Sequence, residues 1–260
     1  MKIGIIQGRL LPPVDGFIQE FPTHTWRQEF SMLTHIGLDH IEFIVTKKSF
    51  SDFLNLPLLD FVDKISSICC DNIIDSDFHK MSFLKSQLVP ICNVASKFGI
   101  VNINIPLLED SSLTIDNFDE FSENILSLSS DFPNLKFNFE LESSLETSLS
   151  LVNLSDRFKF VYDTGNLNFI GVNHCDYLNG IIHKISNVHL KDRDSKGSHF
   201  PNEGSTDFKS IFEILYMKNY DGYFTIQTKR GGYGNEMDTI SKHSDYFKTL
   251  WKSFHINKYE

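Results

Sequence analysis

Four residues combine reactive chemistry with equivalent placement. Glu142, Asp163, His189 and Gln227 each stand at or next to the end of a short β-rich run, in LKFNFELE, RFKFVYD, SNVHL and GYFTIQ. Two carboxylates, an imidazole and an amide carbonyl make an oxygen-rich donor set with one nitrogen, suited to one divalent ion such as Mn, Mg, Co or Zn. The carboxylates and the imidazole are also the side chains best suited to moving protons. Singly, each has a plainer reading. Asp163 begins Asp-Thr-Gly-Asn, which makes an Asx turn. A histidine inside an apolar strand is commonly a hydrogen-bonded core residue, and a glutamine says almost nothing. The weight lies in the equivalence of the four positions. Glu140 shares the face of Glu142 and should lie one layer deeper, where a buried carboxylate needs a partner. Lys159 on the next strand is the expected one.

The elements that would hold such a set recur along the chain. Short apolar, β-rich runs appear at 2–7, 40–45, 65–70, 100–105, 135–142, 157–163, 186–190 and 222–227. Their starts are separated by roughly 20 to 40 residues, enough for a strand, a helix and two loops. Helical periodicity fills several of the gaps: Trp26, Phe30, Leu33 and Ile36 before Gly37; Leu88, Ile91, Cys92, Ala95 and Phe98 before Gly99; Phe118, Phe121, Ile125 and Leu128; Phe208, Ile211, Phe212 and Leu215 after a Ser-Thr-Asp cap. Strand–helix alternation predicts an α/β chain with a parallel sheet. The turn after the first run, QGRLLPPVDG, has no GxGxxG, which disfavours an open nucleotide-binding sheet. The expectation is a single (β/α)8 TIM barrel of eight parallel strands spanning 1–260 as one domain. Such barrels carry their sites at the C-terminal strand ends. Gln7 and Arg9 stand there after the first strand, and Glu42 stands on the second.

Composition narrows the class. A net charge of −10 argues against a nucleic-acid footprint. No run of about 18 apolar residues marks a membrane span, and the N-terminal apolar stretch is too short for a signal peptide. Cys69, Cys70, Cys92 and Cys175 form no CxxC pair and read as buried, reduced thiols of a cytoplasmic protein.

In order along the chain, IGIIQGRLLPP, GLDHIEFI, FELESSL, VYDTGN, NVHLKDRD and YFTIQTKRGG resemble the xylose isomerase-like TIM barrels, the superfamily of sugar and sugar-phosphate isomerases and epimerases that includes endonuclease IV. The sugar phosphate isomerase/epimerase group is nearest. The resemblance implies one divalent metal on Glu142, Asp163, His189 and Gln227, and a carbohydrate substrate. It implies proton abstraction beside a polarised carbonyl, through an enediolate, with Glu142 and His189 as catalytic residues. Ketose epimerases of the superfamily carry Glu at the last ligand position. Gln227 cannot be a second base, so aldose–ketose isomerisation is expected over epimerisation.

Around that set, Gln7, Arg9, Glu42, Lys191, Asp192, Arg193, Lys229 and Arg230 are expected to contact substrate. Asp192 also reads as an orienter of His189, and Lys229 and Arg230 with Gly231 and Gly232 as a phosphate or carboxylate cradle. A non-catalytic sugar-binding barrel is the alternative, and an endonuclease IV-like phosphodiesterase a more distant one. The partner expected is a small carbohydrate, with neither nucleic acid nor membrane, and homo-oligomerisation stays open.

Overall fold

A computed structural model describes residues 1–256, with the side chains of 255 and 256 left aside. The chain forms a closed, all-parallel, eight-stranded (β/α)8 barrel. Its strands are β1 (Lys2–Ile6), β2 (His40–Ile44), β3 (Ile65–Cys69), β4 (Asn102–Leu107), β5 (Lys136–Leu141), β6 (Phe158–Asp163), β7 (Ile185–Leu190) and β8 (Tyr223–Ile226). Around the barrel they run β1-β8-β7-β6-β5-β4-β3-β2. All eight expected runs are strands. The fourth starts at Asn102 and not at residue 100. Ile100 is taken by the preceding helix end: Gly99 turns at φ 74°, and the Ile100 N–H returns to Ala95 O at 2.9 Å.

Two compact units share these elements, Met1–His40 with Tyr162–Glu260, and Ile41–Val161. In the first, β8 pairs with β1 and β7, and Thr225 is the register partner of both Gly4 and His189. The alternate residue Phe224 packs outward on Phe212 of the helix Phe208–Met217 and on Trp251 of the helix Glu236–Ile256, with centroids 5.6 and 5.3 Å apart. In the second unit, Phe139 of β5 meets Phe121 of the helix Phe118–Ser130, and Phe43 of β2 meets Phe53.

The aromatic alternation seen in the sequence therefore faces the helices, and the polar alternation faces the opposite side of each strand. That second side is buried all the same. Asn138 donates to Asn104 at 2.7 Å, and Asn104 donates to Ser67 at 3.1 Å. Thr225 donates to Asn187 at 3.0 Å. A buried polar face is stable only when its groups bond one another, and these do.

Several elements carry no long periodic signal and have no counterpart in the sequence reading. They include the helices Met81–Gln87, Leu145–Val152, Thr164–Phe169 and His174–Ile181, and an antiparallel hairpin of Asp192–Asp194 with Gly197–His199. The Ser-Thr-Asp cap is present: Asp207 accepts from Ser210 N. All four cysteines are free thiols. Cys69, Cys70 and Cys92 are buried, whereas Cys175 is exposed. Among the described residues no helix is long and apolar enough to cross a membrane.

Candidate metal centre

The end of β6 and the turn after it give each residue of YDTGN a position to fill. Asp163 Oδ1 caps the helix Thr164–Phe169 by accepting from Asn166 N at 2.7 Å. This bond reaches three residues on, as a helix N-cap does and not two as in an Asx turn, and it uses one carboxylate oxygen. The other, Oδ2, lies 3.8 Å from His189 Nδ1 and 3.9 Å from Lys191 Nζ. Thr164 Oγ1 accepts from Lys191 N at 2.9 Å and lies 2.7 Å from Lys191 O, which ties the end of β7 to the end of β6. Gly165 has to be glycine, because a Cβ there would sit 2.8 Å from Lys191 Cγ and 2.9 Å from Lys191 O. Asn166 Oδ1 accepts from Arg193 Nη1 at 2.7 Å, and the Arg193 guanidinium stacks 4.1 Å from the Phe169 ring centroid.

His189 and Asp163 side chains are each only 1 % exposed. At 3.8 Å they are too far apart for a hydrogen bond. The spacing is of the order expected for two ligands sharing one ion through bonds of about 2 Å. Gln227 follows β8 on the face of Thr225, the register partner of His189. Gln227 N continues the ladder to Leu190 O at 3.0 Å, and its side chain is buried. Its Nε2 donates to Gln19 Oε1 at 3.0 Å. Its Oε1 is buried with no hydrogen-bond partner among the described residues. A buried carbonyl oxygen with no hydrogen-bond partner among the described residues, on the strand next to that of His189, fits a divalent cation, which takes such oxygens as ligands.

In the other unit, Glu140 is buried near the end of β5 and Glu142 lies just past it, partly exposed. The β5–β6 register sets Glu140 opposite Val161 and Lys159 opposite Asn138. Glu42 of β2 is fully buried; in the first unit Gln7, after β1, is buried too.

Other expected positions have different work. Asp192 does not orient His189: its Oδ2 accepts from Gly204 N at 2.9 Å and its Oδ1 from Thr206 N at 3.1 Å. A Cβ on Gly204 would meet Asp192 Oδ1 at 2.3 Å, so this loop closes directly onto the carboxylate. Arg230 is no anion cradle. Its Nε, Nη1 and Nη2 donate to the carbonyls of Ile18, Leu11 and Gly8 at 2.8, 3.0 and 2.6 Å. Arg9 is 5 % exposed and donates to Thr228 O at 2.8 Å. Its burial, with Arg230 nearby, pulls its pKa down to about 9. Lys229 is exposed, 5.6 Å from the Phe200 ring.

Two residues of this neighbourhood escape a reading of the sequence. Gln19 sits in a loop without periodicity. Glu29 lies on the helix Trp26–His35 and is fully buried under the turn after β1, accepting from Gly8 N and Leu10 N. Charged residues at helix positions are usually solvated, and nothing local marks this one as buried.

Residues 134–250 match the model of the xylose isomerase-like TIM barrel family. The inosose dehydratase of Geobacillus thermodenitrificans is 28% identical over 121 residues, 37% of this chain and 41% of that protein. The aligned stretch thus spans about two-fifths of that relative's length. Among solved structures, the 3-keto-D-glucoside 4-epimerase of E. coli superposes with a TM-score of 0.70 at 15% identity, covering 96% of this chain and 99% of that one. An IolI protein with a bound zinc atom gives a TM-score of 0.73 at 13% identity, covering 96% and 99%.

Proposed function

We propose that this chain, whose residues 134–250 match the xylose isomerase-like TIM barrel family, is a metal-dependent enzyme that removes a proton from the carbon beside a carbonyl of a carbohydrate or cyclic polyol. The observation that carries this reading is the buried Asp163–His189 pair, 3.8 Å apart, with the orphaned Gln227 oxygen on the same face of the neighbouring strand. On this reading Asp163, His189 and Gln227 supply ligands to the ion. The bound cation would polarise a substrate carbonyl and so acidify the neighbouring C–H.

The chain's own residues divide the remaining work. Glu142, partly exposed past the end of β5, is the base for that proton. Lys191, 3.9 Å from Asp163 and 19% exposed, lies beside the group and reaches a substrate oxygen. Arg193, held by Asn166, lines the same rim. Epimerisation needs a base on each face of the carbon. Gln227 is neutral, and both Asp192 oxygens are taken by loop N–H groups, so neither serves as the second. One-base outcomes fit better. Aldose–ketose isomerisation is favoured, since Glu142 can return the proton to the adjacent carbon. Loss of a β-hydroxyl as water is the second reading, favoured by the similarity to an inosose dehydratase.

Purified protein loaded with Co2+ or Mn2+ and incubated with ketoses, aldoses and inososes in D2O separates these readings by NMR. Deuterium entering beside the carbonyl with interconversion of aldose and ketose means isomerisation. Loss of water to a dehydrated ketone means elimination. Neither exchange nor turnover with any carbohydrate, or full turnover by a Glu142→Gln variant, sinks the corresponding assignment.

A further inference from the structure

An amide has two ends of nearly equal size, and only its oxygen can ligate a cation. A glutamine at a ligand position therefore needs something that fixes which end it presents. A carboxylate, with two equivalent oxygens, has no such need. The neighbours of Gln227 settle the question by donor and acceptor logic. Arg9 has only donors. Its Nη2 lies 3.4 Å from one end of the Gln19 amide, which must be the oxygen. That oxygen lies 3.0 Å from one end of the Gln227 amide, which must be the nitrogen. The carbonyl end of Gln227 is thereby turned away from Gln19, and it is the end that is buried with no hydrogen-bond partner among the described residues. Arg9 is fixed in turn by Thr228 O, the backbone of the next residue, at 2.8 Å. The four groups close a ring: Thr228 holds Arg9, Arg9 sets Gln19, Gln19 sets Gln227, and Gln227 is covalently joined to Thr228.

We propose that Gln19, held by Arg9, is a positioning residue that locks the Gln227 amide with its oxygen toward the Asp163–His189 group. The proposal rests on the metal-centre reading for its purpose, and on the ring geometry alone for its existence. It assigns to the loop after β1 a part in ligand geometry that its sequence does not announce. It also accounts for a buried arginine whose guanidinium is spent on a carbonyl and an amide.

The test uses the full-length protein freed of metal, with Co2+ as probe in calorimetric titration. A lost neutral hydrogen bond is worth about 0.5–1.5 kcal/mol, so Gln19→Leu should weaken Co2+ binding about three- to tenfold. The decisive comparison is the same change in a Gln227→Glu background. There the symmetric carboxylate needs no orienter, and Gln19→Leu should change Co2+ affinity less than about twofold. A merely structural role for Gln19 predicts equal losses in both backgrounds, and equal losses overturn the proposal. A second readout needs no metal. In protein carrying 15N-glutamine, the Gln227 side-chain NH2 signals, identified by their absence in Gln227→Glu, should be protected from exchange and lose that protection in Gln19→Leu. Unprotected signals in the parent protein overturn the ring itself. Protected signals together with no Co2+ binding by the parent protein would leave the ring standing, overturn its assignment to metal positioning and sink the metal-centre reading.

Discussion

Replacing Glu29 with Gln tests whether the turn after β1 is held by a buried, proton-binding carboxyl. Glu29 is fully buried. Its Oε1 accepts from Gly8 N at 2.9 Å and Leu10 N at 3.1 Å, and its Oε2 from Gly8 N at 2.8 Å. Burial drives its pKa up from 4.5 to about 7, against the opposing pull of those N–H groups and of Arg230. The folded chain therefore keeps a proton on Glu29 between pH 4.5 and about 7, where the unfolded chain has released it. The folded state binds more protons in that window, so this stabilisation is complete below pH 4.5 and is lost as pH rises to about 7. At about 1.4 kcal/mol per pKa unit, the loss is about 3 kcal/mol.

The amide introduced by Glu29→Gln cannot ionise. Its oxygen can take the place of Oε1 and serve both donors, while its nitrogen faces Gly8 N at a fixed cost. Urea unfolding of both proteins at several pH values isolates the ionisation from that offset. The stability of the parent protein relative to Glu29→Gln should fall by about 3 kcal/mol between about pH 4.5 and about 7.5 and stay flat above. A difference that is constant within about 0.5 kcal/mol, the scatter expected of such comparisons, refutes the buried-carboxyl account.

Other changes separate folding from the metal centre. Asp163→Asn keeps an oxygen for the Asn166 cap, so stability in urea should move by no more than about 1 kcal/mol, whereas Co2+ affinity should drop more than about tenfold in calorimetry. Asp207→Ala removes the oxygens that accept from Ser210 N at 3.1 Å and Ser210 Oγ at 2.6 Å; it should cost about 1 kcal/mol in urea unfolding and leave Co2+ binding as it was.

The barrel is legible because its signal is repeated: alternating apolar residues, a helix-length gap, and the same again around the chain. Repetition also makes Asp163 and His189 legible, since each stands where its strand runs out. Glu140 and Glu142 show where that logic stops. Strand alternation has a period of two, so both carboxylates fall on one face, and sequence sets their order along the strand but not which of them is buried. Burial separates them, Glu140 being 6 % exposed and Glu142 lying past the strand end.

The arginines mislead for a different reason. Arg9 and Arg230 sit at strand ends, where a cation ordinarily suggests an anion, and both read as substrate contacts. What decides their role is which oxygens lie within reach, and these come from far along the chain: Arg9 meets Thr228, while Arg230 meets Gly8, Leu11 and Ile18. Local sequence carries no trace of such contacts. Gln19 is the extreme case, a half-buried loop residue with no motif and no periodicity around it. Its position becomes meaningful only through the donors of Arg9 on one side and the amide of Gln227 on the other. The amide where epimerases carry a carboxylate is visible in the sequence as an oddity. Its orientation is a property of three side chains and one backbone carbonyl brought together by folding, and that is why the sequence raises the question of Gln227 without containing the answer.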